Sequence, residues 1–490
     1  MKYAGAGIVI VGAAAAGAYY GTMPKGPTET GTETTAETTK PGEKLRLDMV
    51  VWTWGIELIQ DHVRMFNEAQ KDYDVHLSDY SQEGYREGII SRFTGGTPTD
   101  LMYSSIEWQV EWQTPGWIVP TEVYVPEVRQ YQSDITPGYW PGHLVYNHQN
   151  EEYNGKMWGT SYYGDYTGFW YNPDHLMKAG IDEPPKTWEE LVEQSLKIKQ
   201  KGIVDYPMCA FLSSYGFWQT LYCYIVGITK DGRMFDKETS ITPEPIWESE
   251  DSALFKAVRF LVDCINKDKI MTPDTIRYDD PVIISNMASE AHTFGWLPRY
   301  DIPGVNTAGT KVWENPNAKG VKQALNPGSN ITSCWLRPYN MTKYNADRGQ
   351  AAIDAQWKLQ CWFGGKADDN CNPDFTNGSY RVPKRLITDV GVGTVMESLW
   401  QDPDVIAAYT AWNTGFDVML EQRKHLYLQN MDGQLTPYWP KWSGGWGTGY
   451  SRAELESTLI GQRGTSDADI MKVFKDLATK YNEFKTDAGY

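Results

Sequence analysis

Flat aromatic rings and isolated carboxylates are the residues of this chain with the chemistry to hold a solute. It carries 21 Trp and 31 Tyr, side chains that pair an apolar face with a polar handle. Roughly half of them are required for the core of so long a chain; the rest are available to line a binding surface. Signatures of catalysis are missing. There is no Gly-x-Ser-x-Gly, His-Glu-x-x-His or Walker loop, and His62, His76, His143, His148, His175, His292 and His425 are scattered. Glu107 and Asp165 could be the two carboxylates of a glycosidase. The same groups could equally accept hydrogen bonds from solute hydroxyls, or lie solvated or salt-bridged.

The elements that must position these residues are bounded by bulk properties. At 490 residues the chain exceeds what one hydrophobic core serves, so two lobes are expected. With 45 basic and 63 acidic residues the net charge is −18, which repels polyanions and excludes nucleic acid as a partner. Six cysteines lack the Cys-x-x-Cys spacing of a zinc or redox site. Cys361 and Cys371 bracket a polar loop and are the first candidates for a disulfide, with free buried thiols as the alternative.

Residues 1–21 pair a charged start with an Ala/Gly/Val/Ile run, as in a secretory signal or an uncleaved membrane anchor, and Ala16-Gly17-Ala18 could be a cleavage site. Residues 22–44 are Thr, Glu, Pro and Gly with almost nothing to bury, which predicts a disordered, O-glycosylated stalk. The body is therefore expected outside the cytoplasm, tethered at the cell surface. The sequons at Asn330, Asn340 and Asn377 are candidate glycosylation sites.

Strands are expected at 45–52, 73–77 and 100–104, with helices at 56–68 and 85–93 between them, which implies a parallel α/β sheet. Ligands of such sheets sit beyond the carboxyl ends of the strands; there the loops carry Trp52, Trp54, Glu57 and Glu107. A helical region follows from 188 to 267. A strand is expected at 288–296, a helix at 346–362 and a final helix capped by Ser466 with Asp469.

The stretch 154–191 organises the rest. Asn154-Gly155 reads as a turn, followed by two strands, the second ending Phe169-Trp170-Tyr171. Asn172-Pro173 opens a helix, Gly180 stops it, Pro184-Pro185 forces extended chain, and Thr187 with Glu190 forms a capping box. This run closely resembles the extracellular solute-binding proteins of ABC importers, in the group that includes maltose-binding protein. The resemblance implies a hinge-linked, two-lobe periplasmic-binding-protein-like fold of type II, α/β in class. Lobe 1 would comprise 45–163 and 328–432, and lobe 2 would comprise 164–327 and 433–490, with crossings at 154–171, Asn326-Pro327-Gly328 and 432–437.

Carried over by residue, the resemblance implies ligand contacts from Trp52, Trp54, Glu57, Glu107 and Trp108 in the first lobe. Tyr163 and Asp165 would contribute from the hinge, and Tyr215, Trp218, Trp296, Trp439 and Trp442 from the second lobe. The first loop departs from the maltose-binding pattern, because Trp54 and Ile56 stand where that relative is polar, so the identity of the sugar does not transfer. Tyrosine pairs such as Tyr162-Tyr163 ligate iron in another branch of binding proteins, but no His cluster accompanies them here and no metal is expected. No cysteine near the leader can carry a lipid, an absence that fits an archaeal surface protein. The expectation is a monomeric, non-catalytic, cofactor-free subunit that captures an oligosaccharide and delivers it to membrane permease subunits. An oligopeptide-binding protein, a surface glycosidase or polysaccharide-binding protein and an S-layer component are the alternatives.

Overall fold

Strand β1 (Leu45–Trp52) is apolar from Met49 onward without alternation, as befits a strand covered on both faces. In the computed structural model, which describes residues 44–490 except 214–215, 238, 413–414, 432–434, 445–448 and the side chain of 430, β1 pairs in parallel with β2 (Tyr73–Tyr80) and β3 (Leu101–Tyr103). Helices Ile56–Ala69 and Tyr85–Thr94 make the crossovers, and the first buries Ile59, Val63 and Phe66 at helical spacing. The expected leader and all but the last residue of the expected stalk lie outside the described residues. Among the described residues no helix is long and apolar enough to cross a membrane.

Beyond β3 the sheet departs from the parallel expectation and becomes mixed. Short β4 (Ile118–Val119) precedes β5 (Ser161–Tyr171); then come β6 (Met208–Ala210), β7 (Phe294–Pro298), β8 (Lys322–Ala324), β9 (Thr332–Thr342) and β10 (Leu426–Leu428). The order is β2-β1-β3-β9-β5-β7-β6, with β4 and β10 on β9 and β8 on β5. Strands β5 and β9, 11 residues each, join the two halves. Ser161–Tyr166 of β5 pairs with β9, and Thr167–Tyr171 pairs with β7. In turn β9 gives Tyr339–Met341 to β3. Where two strands were expected after the Asn154-Gly155 turn there is one, irregular in register between Ser161 and Tyr163. The expected crossing at Asn326-Pro327-Gly328 is instead the turn into β9, closed by an Asn326–Asn330 bridge and by Gly328 at φ +80°.

Each half has its own core. Residues from Leu47 to Tyr162 and from Tyr339 to Val392 form one apolar cluster, whereas Phe169 to Trp296 with Tyr438 to Tyr481 form another. Between them, on β5, lies a buried ion pair. The Arg299 guanidinium donates from Nε and Nη2 to Asp165 Oδ1 and Oδ2 at 3.0 and 2.9 Å, and both side chains are fully buried. The Gly393 and Tyr166 amides also donate to Asp165, at 2.9 Å each. Arg299 lies 4.6 Å from the Tyr409 ring centre and 5.9 Å from those of Trp400 and Trp412.

Two sequence expectations are corrected by burial. Cys361 and Cys371 are both free thiols. Cys361 faces the Tyr131 hydroxyl at 3.7 Å, whereas Cys371 packs near Phe66 in the other cluster, so the loop between them does not close a bridge. Asn340 is fully buried in β9, out of reach of a glycosylating enzyme once the chain folds. Asn330 is half-buried and left-handed (φ 64°), while Asn377 is exposed on a loop.

Removing one partner of a buried ion pair strands the other charge at a cost of about 3–5 kcal/mol. Asp165→Asn is therefore expected to lower unfolding stability by that order in chemical denaturation, and adding Arg299→Met to recover much of the loss. A single variant as stable as the parent would show that the pair does not hold the hinge.

Candidate functional site

The two halves face each other across β5. From the first half, the turn after β1 presents Trp54, half-buried, and the loop after β2 presents Gln82. From β5 comes Tyr163. From the second half, the segment after β7 presents Tyr300, and the first turn of helix Asp280–Ala288 presents Asp280. These side chains with Trp52 line a cavity of ≈ 30 Å³ that is open to solvent on one side. The Trp54 ring centre lies 6.2 Å from that of Tyr163 and 6.0 Å from that of Tyr300, and Tyr300 meets Trp335 edge-on at 6.4 Å. A larger cavity of ≈ 570 Å³, lined by Trp400, Arg423 and Leu426 among others, draws only on segments 136–138 and 397–426, so jaws closing across β5 would not shut on it.

Carboxylates reach the site in two groups. Asp280 hydrogen-bonds Asp301, which is 4% exposed; burial raises both carboxyls, Asp280 to about 7. On the first half, helix Ile106–Gln113 buries all eight residues, polar ones included, with Trp108 and Trp112 in the first core, and helix Trp439–Ser443 of the second half also packs on it. Within it Glu107 accepts from Ser105, which accepts from Arg337 Nη1 at 2.8 Å. Glu111 accepts from Arg86 Nε at 2.9 Å. Opposite stands Lys441, whose ammonium burial holds below its usual range, with Glu111 acting to raise it and Arg86 to lower it. Charged groups thus oppose one another where the halves meet.

Of the residues singled out in the sequence, Trp52, Trp54 and Tyr163 come together at the cavity. Trp52 does so only by an edge, being 2% exposed and packed on Tyr103 at 4.2 Å. Glu57 is exposed in the first turn of its helix and lines no part of the cavity. Glu107 is buried at the contact between the halves. Trp108 is sealed in the first core against Tyr85 and Trp112. Asp165 is consumed by Arg299 and backbone amides, which leaves it unable to act as a glycosidase carboxylate. Tyr215 lies outside the described residues.

The four second-lobe tryptophans are corrected together: none lines the cavity. Trp296 lies within β7 and points inward, stacked on Trp188 at 5.8 Å with its Nε1 on Asn326 Oδ1 at 2.9 Å. Trp218, Trp439 and Trp442 pack on one another at 5.0–5.8 Å around the second core, and Trp442 Nε1 donates to the Leu477 carbonyl at 3.2 Å. Tyr162 and Tyr163 meet edge-to-face at 5.1 Å where β5 is irregular in register, Tyr162 within the first core and Tyr163 packed against it. Gln82, Asp280, Tyr300 and Asp301 were not singled out. Strand β7 runs two residues past Trp296, so the rule of strand carboxyl ends points to Arg299–Asp301 instead.

Comparison with known proteins adds to this geometry. Residues 53–280 match the family model of the bacterial extracellular solute-binding proteins. The sn-glycerol-3-phosphate-binding periplasmic protein UgpB of Brucella abortus is 31% identical over 167 residues, 33% of this chain and 36% of that one. The UgpB of Yersinia enterocolitica is 27% identical over 170 residues, 31% and 34% of the two chains. The chain thus spans about a third of the length of these curated relatives. Solved structures share the fold across the lobes. Maltose-bound MalE3 of T. maritima superposes with a TM-score of 0.66 at 16% identity, covering 90% of this chain and 99% of that one. The MalE of Xanthomonas citri gives 0.67 at 16% identity, over 90% and 97%. A ribitol complex from Agrobacterium radiobacter gives 0.66 at 16% identity, over 91% and 100%.

Truncating a cavity aromatic should separate binding from folding. Trp54→Ala is expected to weaken solute binding about tenfold, a loss of about 1.4 kcal/mol, with little change in melting temperature. Trp296→Phe should leave affinity within about twofold and lower stability by about 1–3 kcal/mol. Titration calorimetry and thermal unfolding of both variants check this, and the reverse pattern would return Trp296 to the site.

Proposed function

We propose that this chain, whose residues 53–280 match the family model of the bacterial extracellular solute-binding proteins, is the extracytoplasmic, non-catalytic substrate-binding subunit of an ABC importer. It captures a carbohydrate or polyol between its lobes and presents it to permease subunits in the membrane. One observation carries the reading: the aromatic-walled cavity exists only where both halves meet, with Trp54 and Gln82 from one, Tyr300 and Asp280 from the other and Tyr163 on the strand between. Bending at β5 and β9 would open and shut it without disturbing either core. Rings of this kind stack on sugar faces at about 0.5–1.5 kcal/mol each beyond area burial. Maltose and ribitol, the ligands named for two structural neighbours, are of the matching class. Tethering by residues 1–44 would keep the protein near the permease.

A panel of saccharides and polyols tests the proposal. A ligand at about 100 times its Kd should stabilise the protein by about 2.7 kcal/mol and reduce the radius of gyration measured by small-angle scattering. A response to peptides alone would replace carbohydrate with oligopeptide, and release of cleaved sugar would defeat the transport reading.

A further inference from the structure

The cavity of ≈ 570 Å³ formed by segments 136–138 and 397–426 lies apart from the interlobe site and is of a size that takes a small organic molecule. Arg423, which ends helix Phe416–Gln422, lines it and is 8% exposed. Three contacts fix its guanidinium. It lies 4.3 Å over the Trp400 ring centre, and its Nη2 reaches Thr136 Oγ1 at 2.9 Å and Glu397 Oε1 at 2.6 Å. Its Nε and Nη1 donate to no atom among the described residues, Nε being shielded from solvent and Nη1 open to it. Lys424 adds a second cation to the lining, and Pro137, Leu420 and Leu426 add apolar surface.

We propose that this cavity is a second binding site, for a small organic oxyanion with an apolar body. Its carboxylate or phosphate accepts from Arg423 Nη1, while the body packs on Leu420 and Leu426.

The lining selects that class by what each group has left to offer. Glu397 already faces Arg423, so an arriving cation would meet two like charges and an acid that is engaged. Lys424 pairs with Glu421 at 2.7 Å, but its side chain is 68% exposed, and so weak a surface pair leaves the ammonium free to turn toward a ligand. A neutral sugar finds no ring face to stack on, because Arg423, Tyr409 and Phe416 cover Trp400, which is 3% exposed. The net charge of −18 repels anions at long range, yet at physiological ionic strength that field is screened beyond about 8 Å, and the two cations of the cavity act within that distance. A guanidinium already held in place forms a charge-assisted bond with little further ordering.

Equilibrium dialysis of the full chain against 2-naphthoate and 2-naphthyl phosphate, with neutral 2-naphthamide as the control, tests this. At least one anion should bind at least about tenfold more tightly than the amide, and which of them does so tells carboxylate from phosphate. Arg423→Gln should lose about tenfold of that affinity and Lys424→Glu several-fold, whereas Trp54→Ala, in the interlobe cavity, should lose none. Because Lys424 is exposed, its variant stands in if Arg423→Gln fails to fold. Equal binding of the amide, no binding by either anion, an affinity unmoved by both cavity variants, or an affinity lost in Trp54→Ala overturns the inference. None of these outcomes touches capture between the lobes, which is read with saccharides and polyols.

Discussion

A carboxylate and a guanidinium, both cut off from water, fix the geometry on which the rest of this molecule depends. Asp165 belongs to the long strand shared by the two halves, and Arg299 to the chain leaving the second half's sheet. The rings of Trp400, Tyr409 and Trp412 cover the guanidinium. Neither charge tolerates burial alone, so each holds the other in place. Because the pair sits beside Tyr300 and Asp301 in sequence and beside Tyr163 on β5, it also orients the groups that line the cavity.

A cavity that opens and shuts between two halves asks for rigid cores and a compliant junction, and the packing divides along that line. The tryptophans that looked like ligand contacts are the rigid part. Trp188, Trp296 and Tyr224 stack together under one flank of the second half, and Trp218, Trp247, Trp439 and Trp442 under the other. At the junction the chemistry is polar. Helix Ile106–Gln113 sets Glu107 and Glu111 against the helix that carries Lys441. Polar contacts of this kind separate at lower cost than apolar ones, because water can replace each partner when the halves part.

Local signals read well where their cause is local. The capping arrangement at Ser466 with Asp469 is present, as is the Asn172-Pro173 helix start ended by left-handed Gly180. The apolar spacing of Ile59, Val63 and Phe66 gave the first helix nearly to the residue. The errors arose where an element's end was set by pairing. β7 extends to Pro298 because Thr167 and Gly168 of β5 pair with its last two residues, and no periodicity in a five-residue strand announces that. The strand therefore ends two residues beyond Trp296, and the ring it delivers to the cavity is Tyr300, four residues on from Trp296.

By itself the sequence determined the two-part architecture and the punctuation of its helices. Each follows from composition or from neighbours within a few residues. Only the tertiary structure decided which rings face the cavity, why Asp165 is withheld from it, that Cys361 and Cys371 stay apart, and that Asp280 meets Asp301. Those outcomes depend on side chains tens to hundreds of positions apart in the chain and on which face of a strand the partner strand covers. A tryptophan's wish to leave water is legible in its type, but the surface that receives it is not.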